Sequence, residues 1–258
     1  MTTVQDILCF LEQMVPSALA ESWDNVGLLA GERAQKVDKV LCALDITEQV
    51  VAEAAECGAQ VVVAHHPVIF TSVSRVTADT ATGRTLLAAI RHGISLICMH
   101  TNADCAQGGV NDALAAALGL SEVRSMEAGE NGMLGRVGEL PHAMQPRAFA
   151  MYVKERLAAG GVRFCDGGQS IHRVAVGGGA CGKMMDAAVA KGAQAFVIGD
   201  CSYDLMQRAQ TLGLTLVDAG HFPTENPMTA VFARQIADAF PQLAVSASVR
   251  HRDCIEFV

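Results

Sequence analysis

One stretch of this chain occurs twice, and that repetition limits what it can fold into. Val40 through Val63 aligns without a gap on Val174 through Val197. Val40-Leu41-Cys42 falls on Val174-Ala175-Val176, and Gly58-Ala59-Gln60-Val61-Val62-Val63 falls on Gly192-Ala193-Gln194-Ala195-Phe196-Val197. A later pair also matches: Gly93-Ile94-Ser95-Leu96-Ile97 with Gly213-Leu214-Thr215-Leu216-Val217, each running on to a histidine, His100 and His221. All βαβ units share an apolar pattern, but a common Gly-Ala-Gln at matched spacing goes beyond it. The pattern predicts an α/β fold of two related lobes around a pseudo-twofold. Their sheets are mostly parallel, with a crevice at the carboxyl ends of the strands.

The rest of the chain keeps the same rhythm. Val4, Ile7, Leu8, Leu11, Met14 and Val15 make one stripe of an amphipathic helix, opened by a Thr3–Asp6 capping box and ended by Pro16. Apolar strands over 40–44, 61–64 and 94–98 alternate with helices over 48–57, 82–92 and 110–118, and the alternation resumes at Val174. The middle, with Gly129, Gly132, Gly135 and Gly138 at close spacing, reads as a less regular connector with short strands and one helix near 147–157. The expected organisation is a first lobe over 1–121, a connecting segment over 122–165, and a second lobe over 166–258 packed with the first as one unit. Asp24 and Asn25 read as turn formers beside a packed Trp23, and Glu12, Glu48 and Glu53 as solvated helix faces.

Composition excludes several functions. A net charge of −8 with no basic run argues against nucleic acid or an anionic membrane as the main partner, since both call for clustered Lys and Arg. Asp6 and Glu12 interrupt the first apolar residues, and no run approaches a membrane span, so a cytoplasmic protein is expected. The nine cysteines are scattered singly without a CxxC, which reads as buried, reduced thiols.

Histidines and carboxylates collect where strands end. The strand over 61–64 runs into His65-His66-Pro67, that over 94–98 into His100-Thr101-Asn102-Ala103-Asp104, and that over 214–217 into His221-Phe222-Pro223-Thr224-Glu225. Adjacent histidines on a continuing strand would face opposite ways, but Pro67 ends the strand, so both rings can reach one cavity. Imidazole with carboxylate and no cysteine is the donor set of divalent Zn, Fe, Mn or Co. His65, His66, Asp104, His221 and Glu225 are therefore the expected ligands of two divalent ions, and a carboxylate such as Glu225 is able to bridge them.

The same residues carry a resemblance. Ser22-Trp23-Asp24-Asn25-Val26-Gly27-Leu28, Ala64-His65-His66-Pro67-Val68-Ile69-Phe70, His100-Thr101-Asn102-Ala103-Asp104, Gly108-Gly109-Val110-Asn111-Asp112 and Gly220-His221-Phe222-Pro223-Thr224-Glu225 resemble the NIF-three-like dinuclear-metal family. Many of its members are labelled GTP cyclohydrolase 1 type 2 homologues. The resemblance covers nearly the whole chain. It implies the five ligands just named, with Glu225 touching both ions, His100 beside the metals, and a ring-shaped homohexamer. It also implies a purine nucleotide such as GTP as substrate, with ring opening as the reaction. The leading reading of the residues is a metal-dependent hydrolase acting at a C–N or amide-like carbon, with His100 and Glu225 as the catalytic groups. The alternative is a non-catalytic metal-binding scaffold or metal chaperone. Two departures bear on substrate: Thr71 and Ser74 stand where the family often has lysines, and Tyr203-Asp204 where many members have Tyr-His.

A competing motif lies at Gly177-Gly178-Gly179-Ala180-Cys181-Gly182-Lys183-Met184, which fits GxxxxGK after a strand. Met184 replaces the Ser or Thr that would hold Mg²⁺, and the repeat aligns the turn with Ala43 to Gln49, so a structural glycine turn is the better reading.

Overall fold

The apolar runs of the repeat become central strands. In the computed structural model, which describes residues 1–129 and 133–258, the chain begins α1 (Val4–Met14), β1 (Gly27–Ala30), β2 (Lys39–Ala43), α2 (Glu48–Cys57), β3 (Val61–Ala64), α3 (Ala81–Arg91), β4 (Ser95–Cys98) and α4 (Thr101–Cys105). It continues α5 (Val110–Ala117), β5 (Ser121–Ala128), β6 (Leu134–Met144), α6 (Pro146–Arg156), β7 (Arg163–Cys165), β8 (Ile171–Val176), α7 (Met185–Ala190) and β9 (Ala195–Ile198). It ends α8 (Tyr203–Thr211), β10 (Thr215–Asp218), α9 (His221–Glu225), α10 (Pro227–Ala239) and β11 (Ala244–Ala247). Gly132 lies outside the described residues. The expected capping box is present: the Thr3 hydroxyl accepts from the Asp6 amide, and the Asp6 carboxylate accepts from Thr3 N–H at 2.8 Å.

Two compact units result. One comprises 1–106 with 228–252, the other 107–227 with 253–258. In the first, the sheet order is β1-β4-β3-β2-β11, with β1 antiparallel to β4 and the remaining pairs parallel. In the second it is β5-β6-β8-β9-β10-β7, with β8, β9 and β10 parallel and the other pairs antiparallel. Each sheet contains the same parallel trio, in the same register. Val40 pairs with Val61 and Val61 with Ser95; Val174 pairs with Ala195 and Ala195 with Thr215. Gly58 and Gly192 both take a left-handed conformation, φ 74° and 73°, and turn a helix back into a strand.

Strand burial explains why these runs read as continuous rather than alternating. In the second unit Val174, Val176, Ala195 and Val197 pack with Phe149 and Val153 on one face of the sheet, while Ala175, Phe196 and Ile198 pack with Met185 and Ala209 on the other. The core of the first unit includes Leu41, Val62 and Leu96, packed with Val50, Val51 and Ala54 of α2 and Leu86 of α3. No helix among the described residues is long and apolar enough to cross a membrane.

Three expectations need correction. Residues 122–165 do not form a separate connector: β5, β6 and β7 belong to the second sheet, and β6 pairs with both β5 and β8. Gly138, one of the glycines that suggested irregularity, marks close backbone approach instead, since a Cβ there would sit 2.9 Å from the Ser121 carbonyl oxygen. The last lobe is not continuous over 166–258, because 228–252 returns to the first unit and β11 pairs with β2. Nor is Glu53 a solvated face. It is only 8% exposed, and its carboxylate accepts the Ser248 hydroxyl and the amides of Val249 (2.9 Å) and Arg250 (3.2 Å), tying the exit of β11 to α2.

Candidate metal centre

In the first unit the turn after β3 places two adjacent imidazoles together. The backbone amides of His65 and His66 both donate to the Leu44 carbonyl, at 3.2 and 2.9 Å, and the ring centroids lie 4.9 Å apart. His100, after β4, brings a third ring, 5.2 Å from His65 and 5.5 Å from His66. One donor atom from each of the three lies within 4.8 Å of the others. Asp104, one turn along α4, has Oδ1 3.6 Å from His65 Nε2.

Each ring is oriented through Nδ1. His65, almost fully buried, has Nδ1 2.9 Å from the Met99 carbonyl oxygen. A carbonyl only accepts, so His65 Nδ1 carries the proton and the lone pair is on Nε2. His66 Nδ1 lies 2.8 Å from Asp45 Oδ1, and His100 Nδ1 lies 2.8 Å from Asp24 Oδ1. Burial works to raise both carboxyls. Hydrogen bonds from His100 and Thr101 to Asp24, and from His251 and His66 to Asp45, outweigh it and hold both well below the ordinary carboxylate range. As carboxylates they too only accept. All three rings are thus set as Nδ1–H tautomers with Nε2 as the donor, the arrangement that metal-ligating histidines use.

The second unit repeats the device. His221 Nδ1 lies 2.6 Å from Asp200 Oδ2, and His221 Nε2 lies 3.0 Å from Oε2 of the buried Glu225, four residues along α9. The glycine turn of the competing motif is the wall behind this pair. A Cβ at Gly179 would run into Glu225 Oε1 and come 3.0 Å from His221 Nε2; one at Gly178 would meet Glu225 Cγ at 3.0 Å. Four of the turn's amides are already engaged. Gly177 donates to Val197 O (3.0 Å), Gly178 to Asn111 Oδ1 (2.9 Å), Gly179 to Thr224 Oγ1 (3.0 Å), and Cys181 to Gly179 O (2.9 Å). Amides so committed do not cradle a phosphate, and the glycines serve close packing.

The sequence pointed to His65, His66, His100, Asp104, His221 and Glu225, and the structure places the first four in one unit and the last two in the other. The sequence did not point to the carboxylates that orient them. Asp24, read as a turn former, is enclosed and also accepts from the Thr101 amide at 2.9 Å, fixing the start of α4. Trp23, read as packed, is 58% exposed. Asp45 and Asp200 follow or abut strand ends, as the histidines do, and that placement was the available signal. The cysteines follow the expectation of burial only in part. Cys42, Cys98, Cys105, Cys181 and Cys201 are buried, and burial pushes Cys42 up to about 12, whereas Cys57 and Cys165 are half-buried and Cys9 and Cys254 exposed.

The donor set fits divalent metal: imidazoles in one tautomer, held by a carbonyl at His65 and by carboxylates at His66, His100 and His221, with Asp104 or Glu225 alongside. Comparison with known proteins agrees in family. The model of the Duf34/NIF3 (NGG1p interacting factor 3) family matches residues 2–253. A Clostridium acetobutylicum protein named GTP cyclohydrolase 1 type 2 homolog is 31% identical over 251 residues, covering 95% of this chain and 94% of that protein. One of the same name from Streptomyces coelicolor is 37% identical, covering 92% and 86%. The crystal structure of a Bacillus cereus protein related to NIF3 superposes with a TM-score of 0.92 at 27% identity, covering 100% of this chain and 99% of the other.

Proposed function

Since the chain belongs to the Duf34/NIF3 family, we propose that it binds two divalent metal ions, that His65, His66, Asp104, His221 and Glu225 would hold them, and that it hydrolyses a C–N bond of a purine nucleotide such as GTP. The carrying observation is the tautomer lock: three histidines in one unit and one in the other have Nδ1 within 2.9 Å of a carbonyl or carboxylate oxygen. Histidines that serve only packing need no such uniform arrangement. The name GTP cyclohydrolase 1 type 2 homolog, borne by the Clostridium acetobutylicum and Streptomyces coelicolor relatives, supports the reaction class. The matching registers of the two parallel trios support the reading of one unit used twice.

Bound divalent ions supply Lewis acidity, which makes water a nucleophile near neutral pH and polarises a carbon under attack. The chain's own residues do the rest. Asp45 and Asp24 keep the rings of His66 and His100 from rotating. Glu225, buried against Gly178 and Gly179, holds its carboxylate in one place. His100 Nε2 takes and returns the proton during ring opening.

Metal analysis of the purified protein, followed by turnover of GTP and other purine nucleotides with that metal restored, tests the proposal. Loss of turnover with a chelator, recovery with metal, and loss in Glu225→Gln are expected. Full metallation without turnover leaves a metal-binding scaffold. Metal retained at wild-type levels in His66→Ala, His221→Ala and Glu225→Ala removes the site itself.

We also propose a cytoplasmic homohexamer. The 51% apolar composition and the family resemblance support association, and a monomeric mass in light scattering overturns it.

A further inference from the structure

Trp23 and Phe70 are large aromatic side chains displayed to solvent, 58% and 63% exposed, beside the three imidazoles of the first unit. Their ring centroids lie 5.7 Å apart at an interplanar angle of 60°. Each ring also stands near edge-on to His100, at 6.0 and 6.1 Å. Their exposure does not come from loose backbone. Asp24, the next residue after Trp23, is enclosed and holds His100 and Thr101. Asn25 donates from Nδ2 to the Ile69 carbonyl at 2.7 Å, joining the turn that carries Trp23 to the one that carries Phe70. Two anchored turns thus fix both aromatic positions relative to His100 while leaving the rings in water.

Resting on the hydrolase reading above, we propose that Trp23 and Phe70 are its specificity-determining residues, stacking a planar heteroaromatic ring of the substrate beside His100. Two inclined aromatic rings offer π faces and apolar area to a flat heterocycle, and stacking of this kind tolerates any base but not a sugar or a phosphate chain. The residues that follow Phe70 fit a ring-directed site. Thr71 and Ser74 carry no charge, and the cation that follows, Arg75, is exposed. Recognition therefore rests on the base and varies little with salt, unlike recognition through phosphates.

Trp23 is the single tryptophan of the chain, so its fluorescence reports this place alone. Metal-loaded protein is titrated with guanosine, and separately with ribose and with inorganic tripolyphosphate. Saturable quenching by guanosine, little changed by salt, and none by the other two, is expected. Phe70→Ala raises the guanosine Kd about tenfold or more, a factor typical of one lost stacking contact, while Phe70→Tyr stays near wild type. Trp23→Ala does the same in equilibrium dialysis. Metal content and melting temperature stay unchanged in all three variants. Guanosine binding without turnover defeats the hydrolase and leaves the stacking site standing. Turnover of a purine nucleotide with no quenching, and with KM unchanged in Phe70→Ala, overturns the stacking site and leaves the hydrolase. A fall in assembled mass for Trp23→Ala or Phe70→Ala with guanosine binding intact also overturns it, since a second copy of the chain then covers the pair.

Discussion

His66 and His251 are joined through one carboxylate. Asp45 Oδ1 lies 2.8 Å from His66 Nδ1, and Asp45 Oδ2 lies 2.8 Å from His251 Nε2. A residue near the end of the first unit's second segment thus steadies the group that steadies a proposed ligand. Asp45→Asn keeps the shape but removes the charge, and its metal affinity should fall roughly 10–100-fold in competition with a chromophoric chelator. His251→Ala should show a smaller loss in the same direction, and His251→Gln should recover part of it. Wild-type affinity in Asp45→Asn would contradict this coupling.

Gly179→Ala should be far more harmful than a surface Gly→Ala change. Its φ of 61° strains an L residue, and its Cβ would displace Glu225 and His221. A stability loss of about 1–3 kcal/mol together with reduced bound metal is expected from thermal melts and metal analysis. Lys183→Ala, at the position a phosphate loop would require, should leave both unchanged.

Glu53 provides a pH test away from the metal centre. Burial would raise its carboxyl, but hydrogen bonds from the Ser248 hydroxyl and the Val249 and Arg250 amides win, and the folded value lies below the ordinary one. A depressed folded value adds stability that is fully present above the unfolded pKa and is lost as pH falls through the folded value. Glu53→Ala should therefore cost about 2–3 kcal/mol at neutral pH. In urea melts that gap from wild type should narrow below about pH 4, the unfolded pKa of glutamate. A gap independent of pH would mean that lost packing, not the carboxylate, is responsible.

Metal should also act as a stabilising ligand. An ion present at about 100 times its Kd adds roughly 2.7 kcal/mol to the folded state. Removing it with a chelator should lower the melting temperature of wild type and restoring it should raise it again. His66→Ala and His221→Ala should respond weakly to either treatment.

Local pattern and long-range pairing account for what could and could not be read from the sequence. The parallel trios were legible because strands buried on both faces, such as Val61–Ala64 and Ala195–Ile198, are uninterrupted apolar runs. The histidines were legible because they follow those runs directly. Asp24 and Glu53 were not, since their partners lie 76 and about 195 residues away in sequence and no local rule distinguishes them from a turn former or a wet helix face. The β5–β6 ribbon was hidden by its glycines, which signal close approach and irregularity with the same letter. β11 was hidden because Ala244-Val245-Ser246-Ala247 is short and weakly apolar, and its place depends on the free edge of β2.

That edge has a consequence for how the protein is made. β2 must wait for β11, which is translated only after all of 107–227. At ribosomal speeds the delay is on the order of ten seconds. Throughout it Lys39–Ala43 presents an open row of backbone donors and acceptors, the kind of edge that recruits stray strands. Residues 107–227, contiguous in the nascent chain, close their sheet first. The unit synthesised first is the one completed last.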